Sequence, residues 1–406
     1  MIFALAWRNL WRHPRRTLLN LLAITFASII TIFMLSLQVG TYSGMIERTL
    51  GIFDGDVQIQ KPDYLDNPRI RLTINNPHVL QDEIKIVPNV EHVSVRALSY
   101  AMLSSDNHSY GAQIVGVEPK NESLVSTLPH SIRQGHYLLS NDSAEIVLGE
   151  TLANNLHVNV GDNITLLGMA KDGSVAVDSL TVAGIFRSGV KELDRQLAEM
   201  PLNRFQTTFA MPHEAHTIVI TTRNLSSLNT LLPRLTTLVN HYHLAVRDWS
   251  ALQPGLKQAI ELDAGTSMLF YAALIIVVVF SILNTLLMSV MERTREFGVL
   301  LALGMRPVLI GRVVWLETLI LLTLSILASL AAGYGLTEYF VIHGIHLQSA
   351  EALFAQWGLP GALRPEITMF SLLTGPGIIA LCIALAGGFP ILRIRRLQPV
   401  SAMRSI

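Results

Sequence analysis

Residues 292–304 read Glu-Arg-Thr-Arg-Glu-Phe-Gly-Val-Leu-Leu-Ala-Leu-Gly, a charged segment that leads into an apolar run with helical spacing. The stretch immediately before it, residues 264–291, has no charged side chain. At about 1.5 Å per residue, a helix of this length crosses the roughly 30 Å hydrocarbon layer of a bilayer. The junction therefore predicts a membrane helix followed by a short segment in water that contacts another protein.

The overall composition is that of a membrane protein. Of the 406 residues, 50% are hydrophobic and only 15% are charged, against about 25% charged in an ordinary soluble domain. The formal net charge is zero, so no bulk electrostatic attraction to nucleic acid is expected. The single cysteine, Cys382, allows neither an intrachain disulfide nor a cysteine-based metal site.

Four uncharged runs have the length of a membrane span: residues 17–46, 264–291, 318–337 and 367–392. The third span is extended to residues 310–341, which places Glu317 near its start. Structural pairing, with Arg312 the nearest cation, or hydration at the cytoplasmic interface is favoured for Glu317 over a role in proton transfer. A signal peptide is the alternative reading of the first run, but that run is too long for a typical signal sequence.

Arginine residues predict the orientation of the chain. They cluster before the first span, between the second and third spans, and after the fourth, which by the positive-inside rule makes those segments cytoplasmic. Both termini are then cytoplasmic, residues 342–366 form an external loop, and residues 393–406 form a cytoplasmic tail. The long segment 47–263 lies outside.

Residues 1–16 are predicted to form an amphipathic helix on the inner membrane surface. Phe3, Trp7 and Leu10 recur at helical spacing, and tryptophan prefers the boundary between water and hydrocarbon. Ordinary anchors flanking the first span are the alternative. Pro14 is expected to separate this helix from the span, because proline lacks an amide donor and disfavours helix in the preceding residue.

The external segment is predicted to be an α+β domain. Strand and helix patterns at both of its ends flank a β-rich insertion, about residues 129–212, which suggests two subdomains. The predicted fold class is thus a membrane α-helical protein with four transmembrane helices and an α+β extracytoplasmic domain of two subdomains inserted between helices 1 and 2.

Signatures of catalysis are absent from the sequence. There is no phosphate-binding G-x-x-x-x-G-K-[ST] loop, no H-E-x-x-H and no G-x-S-x-G, so we expect neither nucleotide hydrolysis, nor a metal site, nor an enzyme active site.

The sequence resembles the permeases of ABC transporters in the MacB and FtsX-like family along its whole length. Four groups of short motifs occur in the family's order. These are Trp7-Arg8-Asn9-Leu10 with Pro14-Arg15-Arg16-Thr17; Ile146-Val147-Leu148-Gly149, Gly161-Asp162 and Val182-Ala183-Gly184-Ile185-Phe186; the junction 291–304; and Pro399-Val400 with Ala402-Met403-Arg404.

This resemblance implies a mechanotransmitter in the bacterial inner membrane. Residues 292–309 would form a coupling helix on a separate ATP-binding subunit dimer, which holds the ATP and Mg, while this chain binds no cofactor and pairs with a second permease copy or a related permease. The leucines would contact a groove of the partner, the charges would fix the register, and the glycines would permit close approach. The coupling residues are then Glu292, Arg293, Arg295, Glu296, Gly298, Leu300, Leu301, Leu303 and Gly304.

The layout is similar to that of the LolC and LolE lipoprotein-releasing permeases, but residues 168–179 are short, proline-free and polar where LolC carries a proline-bearing hairpin that captures the lipoprotein chaperone. Three functions stay open: extraction of lipoprotein or lipid, MacB-like efflux of peptides or drugs, and FtsX-like signalling to a cell-wall hydrolase. A periplasmic carrier or a membrane-fusion protein would be the external partner. A lipid substrate would pass between spans 1 and 2, along Met34, Leu37, Met268 and Tyr271, because flexible methionine side chains suit irregular chains.

Overall fold

The computed structural model describes residues 2–346 and 362–388. Its helices and strands, in chain order, are α1 (Ile2–Leu10), α2 (Pro14–Thr49), β1 (Val57–Gln60), β2 (Ile74–Asn75), α3 (Pro77–Lys85), β3 (Val90–Ser104), β4 (Ser109–Val117), α4 (Pro119–Val125), β5 (Ile132–Gly135), β6 (Glu145–Gly149), α5 (Glu150–Leu156), β7 (Asn163–Met169), β8 (Val175–Phe186), α6 (Lys191–Gln196), β9 (Leu197–Pro201), α7 (Leu202–Thr208), β10 (Glu214–Ala215), β11 (Thr217–Thr222), α8 (Leu228–Asn240), β12 (Ala245–Asp248), α9 (Trp249–Leu252), α10 (Pro254–Glu292), α11 (Thr294–Ala302), α12 (Pro307–His343), β13 (Ile345–His346), β14 (Ala362–Leu363) and α13 (Met369–Ala386).

These elements fall into two compact units, one helical and one mixed. The mixed unit contains Ser43–Gln258, and the helical unit contains the segments before and after it. Within the described residues, the helical unit provides four helices that are long and apolar enough to cross a membrane, α2, α10, α12 and α13. The predicted tail 393–406, most of the predicted loop 342–366 and the end of the predicted fourth span lie outside the described residues.

The observed helices differ from the predicted spans chiefly at their ends. Helix α10 begins at Pro254, ten residues before the uncharged run starts at Ala264. The predicted span starts later because the first turns of α10 carry charged side chains, and a span defined by hydropathy leaves them out. The N-terminal helix ends at Leu10 and not at residue 16, and α2 starts at Pro14. Proline is favoured at the first position of a helix because that amide has no intrahelical acceptor.

Small residues allow the helices of the helical unit to approach closely. A Cβ atom added to Gly333 of α12 would meet Ile32 of α2 at 2.8 Å, and one added to Gly375 of α13 would meet Thr31 at 2.3 Å. Close backbone approach at glycine is the usual basis of helix packing in lipid, where no hydrophobic effect drives helices together. The central helix α2 is therefore held against both α12 and α13.

The mixed unit is built on one continuous sheet. Its strands are hydrogen-bonded in the order β12-β1-β11-β3-β4-β9-β6-β8-β5, with β7 paired to β3 and β8. The predicted division into two subdomains is wrong, because the strands of the predicted insertion extend the same sheet through the parallel β4·β9 pair and share its main core.

Both faces of this sheet are covered where β1, β3, β4 and β11 lie side by side. Along β3, Val93, Val95 and Ala97 point into the main core, and the intervening residues point to the opposite face, as the two-residue period of a strand requires. That opposite face carries a second, smaller core around Val115, Val117 and Phe186. Buried polar groups border this second core and are considered below.

Candidate functional site

The junction between α10 and α12 is a short helix bounded by two sharp turns. Helix α10 ends at Glu292, α11 runs from Thr294 to Ala302, and α12 starts at Pro307. Gly304 lies in the second turn with a φ of 88°, a conformation that glycine adopts without steric cost. Val290 of α10 and Ile310 and Val314 of α12 share one apolar cluster with Phe297 of α11.

A half-buried carboxylate ties this junction to two other helices. Glu317 of α12 accepts hydrogen bonds from the Arg293 guanidinium at 3.2 Å and from the Asn9 Nδ2 atom of α1 at 2.8 Å. The side chains of Arg293 and Glu317 are only 14% and 15% exposed. Glu317 is thus paired structurally, as expected, but its cation is Arg293 and not Arg312. We define Asn9, Arg293 and Glu317 as the junction cluster.

Two further ion pairs connect the N-terminal segment to the same region. Arg12 donates to Glu296 at 2.7 Å, and Arg16 donates to Glu292 at 2.9 Å. Both pairs are largely exposed, so each contributes at most about 1 kcal/mol. They act by positioning, because Arg12 links the segment after α1 to α11, and Arg16 links the start of α2 to the end of α10.

The apolar residues of α11 are divided between a side that packs against α10 and α12 and a side that is exposed. Phe297 is buried with Val290, Ile310 and Val314, and Leu300 and Leu301 pack against that cluster. Leu303 is 79% exposed. Leu300 and Leu301 are half-buried against this cluster, so Leu303 is the most exposed of the three predicted leucines; their contact with a partner stays a prediction.

The remaining predicted coupling residues are distributed between the two sides. Gly298 is buried beside Phe297, whereas Arg295 and the turn residue Gly304 are exposed. Val299, 47% exposed, joins Leu303 on the outward side. The exposed side of α11 is thus apolar at two positions and flanked by charge.

An apolar groove of about 670 Å³ lies between α2, α10 and α13. Met268 and Tyr271, both predicted to contact a lipid, line it, but Met34 and Leu37 do not. Residues spaced three and four apart share one face of a helix, and the face of α2 that meets the groove is set by Thr31 and Leu35. The full lining comprises Thr31, Leu35, Gln38, Val39, Tyr42, Ala264, Met268, Tyr271, Ala272, Ile275, Ile276, Phe370, Thr374, Gly375, Ile378 and Cys382.

One edge of this groove carries a chain of hydrogen bonds. The Tyr271 hydroxyl donates to Gln38 Oε1 at 3.1 Å, Gln38 Nε2 donates to the Tyr42 oxygen at 2.7 Å, and the Tyr42 hydroxyl donates to Asp263 at 2.6 Å. Gln38, Tyr42 and Asp263 were not predicted as site residues from the sequence. The sequence pattern that could have indicated them is the pair Gln38 and Tyr42, two polar residues four positions apart within an otherwise apolar span.

Two protein families match the chain in succession. The MacB-like periplasmic core domain matches residues 17–238, more than half of the chain, and the FtsX-like permease C-terminal domain matches residues 268–399. The chain belongs to the MacB and FtsX-like permease family. The mixed unit is accordingly the periplasmic domain of an inner-membrane permease.

Curated relatives of the permease include two lipoprotein-releasing proteins and one export protein. It is 22% identical over 325 residues to the lipoprotein-releasing system transmembrane protein LolC of Neisseria meningitidis, covering 75% of each chain. It is 24% identical over 355 residues to LolE of Haemophilus influenzae, covering 82% of each chain. It is 25% identical over 416 residues to the pyoverdine export ATP-binding/permease protein PvdT of Pseudomonas fluorescens, covering 98% of this chain and 58% of PvdT.

The hairpin of β7 and β8 exposes an apolar face in the periplasmic domain of the permease. Leu167 of β7 lies opposite Met102 of β3 and Val177 of β8, and Met169 lies opposite Val175 in the next row. All five side chains are between 46% and 69% exposed. The stretch 168–179, predicted to be polar from the sequence, thus also carries the exposed apolar side chains Met169, Val175 and Val177.

A cluster of buried polar side chains lies next to strands β3 and β9 of the permease's sheet. Arg96 of β3 is 2% exposed and forms a two-pronged ion pair with Glu122, which is fully buried. Glu199 of β9, also fully buried, accepts a hydrogen bond from the Tyr137 hydroxyl at 2.8 Å. Burial, reinforced by the nearby Glu122 carboxylate, raises the pKa of Glu199 to about 8.

Glu199→Gln is expected to make the stability of the fold less dependent on pH between 6.5 and 8. Between its unfolded value near 4.5 and about 8, folded Glu199 keeps a proton that the unfolded chain releases, so wild-type stability falls as pH rises. Burial lowers the pKa of His216 to about 4 from 6.5, so His216 destabilises the fold only below about pH 6.5. Thermal unfolding of the full chain between pH 6.5 and 8 avoids the titration of His216, and the difference between the wild type and Glu199→Gln reports on Glu199. The midpoint should fall over this range in the wild type and stay flatter in Glu199→Gln; equal slopes would contradict the assignment.

Proposed function

We propose that this chain is the permease subunit of an ABC transporter of the lipoprotein-release type, and that its cargo is a lipid-anchored protein. The observation that carries the proposal is the apolar groove. Its volume lies within the range of ligand sites, about 300–1,000 Å³, and its lining is apolar apart from one polar edge. That combination suits an amphiphile whose acyl chain lies along the helices.

The polar edge supports a cargo that has a polar group next to its acyl chain. Gln38, Tyr42 and Tyr271 offer amide and hydroxyl groups that can exchange their mutual hydrogen bonds for bonds to ester or amide oxygens of a lipid anchor. Such an exchange costs little, because each group is satisfied both before and after cargo enters. Met268, which is 72% exposed, can adapt to an irregular chain.

The exposed side of α11 is proposed to dock on a separate ATP-binding subunit, which would hold the ATP and Mg. Leu303 and Val299 are the apolar contacts, and Arg295 with Glu296 fixes the register. The junction cluster then carries motion, because Arg293 and Glu317 bind α11 to α12 while Asn9 adds α1. Displacement of α11 would move these helices together, and the chain itself would hydrolyse no nucleotide.

We further propose that α11 and both termini are cytoplasmic, and that the permease works as a pair with a second copy or a related permease. The arginine distribution supports the orientation. LolC and LolE are each named as part of a lipoprotein-releasing system, and we propose an additional periplasmic carrier for the released protein. The exposed apolar face of the β7·β8 hairpin is the surface we assign to that carrier.

A photo-crosslinking residue at Met268 is expected to capture an acylated species, because Met268 lines the groove. The same residue at Met34 is the matched control, since Met34 is an exposed methionine on α2 that does not line it. The experiment uses nucleotide-free complex in native membranes and mass spectrometry of the adduct. Lipoprotein should be captured at Met268 several-fold more than at Met34, and capture should fall when ATP is added.

The MacB-like efflux function remains the second candidate, because PvdT, an export protein, aligns with 98% of this chain. Equal capture of phospholipid at Met268 and Met34, with no lipoprotein, would contradict the cargo proposal. Transport of a soluble peptide by the reconstituted complex would then favour efflux.

A further inference from the structure

A second cavity lies within the periplasmic domain. It has a volume of about 170 Å³ and is bounded on one side by the second face of the sheet, where β1, β3, β4 and β11 meet. The segment that follows β1 supplies its other wall. Tyr64 and Leu65 from that segment line the cavity together with the exposed residues Pro68 and Tyr100, so the cavity is accessible from solvent on this side.

Two hydrogen-bonding groups in the cavity wall are buried and lack partners within the described residues. Gln60 is 1% exposed and its Nε2 atom makes no hydrogen bond; Tyr64 is 5% exposed and its hydroxyl makes none. Burial raises the pKa of Tyr64, so this hydroxyl stays protonated. An unpaired buried polar group costs about 1–3 kcal/mol, and this wall has two of them.

The position of Tyr64 is fixed by its neighbours. Its ring stacks on His216, with centroids 5.2 Å apart. His216 is itself held at both nitrogens, because Nδ1 accepts from the Leu98 amide at 2.9 Å and Nε2 lies 3.1 Å from the Ile70 carbonyl. The stacking on His216 therefore fixes the position of the Tyr64 ring and of its hydroxyl.

The lining is polar without favouring a charged ligand. Arg96 is already paired with Glu122 and donates to the Phe53 carbonyl, and the Asp54 carboxylate accepts from Gln253 at 2.5 Å. The other polar groups of the lining are uncharged, and three of them are carboxamides, Gln58, Gln60 and Gln113. A carboxamide both donates and accepts hydrogen bonds, as a ligand hydroxyl does.

We propose that this cavity binds one neutral sugar ring. The volume far exceeds the space that one water requires and is below that of a drug-sized site, which fits a single ring or the terminal ring of a longer glycan. Ring hydroxyl and carbonyl oxygens would accept from Gln60 and Tyr64, and the apolar ring face would pack on Tyr100 at the entrance. This inference is independent of the cargo in the groove.

The test measures sugar binding to the full chain in lipid nanodiscs that contain no glycoside detergent. The probes are N-acetylglucosamine and its β-1,4-linked tetramer, observed by saturation-transfer NMR with titration. Both should bind at millimolar concentration, and Tyr64→Phe and Gln60→Leu should each weaken binding about five- to tenfold, as expected for one lost hydrogen bond. Tyr110→Phe is the matched control, an exposed tyrosine on β4 outside the cavity, and should bind as the wild type does.

Folding of the variants is checked by thermal unfolding. Because Tyr64 and Gln60 have unpaired polar atoms, Tyr64→Phe and Gln60→Leu should be at least as stable as the wild type. The proposal is overturned if neither sugar binds, if Tyr64→Phe and Gln60→Leu both bind sugar as tightly as Tyr110→Phe, or if acetylglycinamide, a peptide-like probe, binds and the sugars do not.

Discussion

Leu303→Asp is expected to uncouple the permease from its ATP-binding subunit while leaving the fold intact. Leu303 is 79% exposed in the free chain, so the substitution removes little internal contact. In the proposed complex the new carboxylate would be buried without a partner, which costs about 3 kcal/mol or more and weakens binding about 100-fold. The measurement is the affinity of the purified ATP-binding subunit for the permease in nanodiscs, with stimulated hydrolysis as a second readout.

Two control variants separate coupling from folding. Leu139→Asp changes a leucine of the periplasmic domain with similar exposure, 74%, and should bind the ATP-binding subunit normally. Leu301→Asp places a charge against the cluster around Phe297 and should lower the thermal stability of the chain. Normal binding and hydrolysis by Leu303→Asp would refute the assignment of this side of α11 as the docking surface.

Arg96→Met is expected to destabilise the periplasmic domain by about 3–5 kcal/mol. The substitution leaves the fully buried Glu122 without its guanidinium and close to the buried Glu199. This loss is a large fraction of the 5–15 kcal/mol that stabilises a typical domain. Hydrogen exchange of the β3, β4 and β9 amides in the full chain measures it, because these strands flank the cluster.

The double variant Arg96→Met, Glu122→Met provides the control for this second prediction. Removing both charges leaves no buried carboxylate at position 122, so much of the lost stability should return. If Arg96→Met alone exchanges as slowly as the wild type, the ion pair does not stabilise the sheet.

The membrane spans could be predicted from the sequence because a single property, hydropathy, defines them. Their ends could not, since charged residues such as Lys257 and Glu261 continue α10 beyond the apolar run. The division of the periplasmic domain was mispredicted for a related reason. The parallel pairing of Gln113 with Leu197 joins strands far apart in the chain, and no local pattern encodes such a pair.

The side-chain arrangement of the candidate site could be predicted only in part. The motif located α11, but Leu300, Leu301 and Leu303 are equivalent by hydropathy, and only the burial of Phe297 determines which side of this short helix is covered. Pairs such as Asn9 with Glu317 and Arg96 with Glu122 depend on tertiary structure in the same way. In the groove, Met268 and Tyr271 are part of the lining, whereas the rotation of α2 places Leu35 and Gln38, and not Met34 and Leu37, there; the substrate path itself stays a prediction.

The central claim is that ATP hydrolysis by a partner drives the release of a lipid-anchored protein. It is tested most directly by reconstituting the permease with its ATP-binding subunit in vesicles that carry a fluorescent triacylated lipoprotein, and by measuring the lipoprotein transferred to a soluble acceptor. The account predicts release that requires ATP, is retained in Leu139→Asp and is lost in Leu303→Asp. Release that is independent of ATP, or hydrolysis stimulated by a soluble peptide with the lipoprotein left in the membrane, would contradict it.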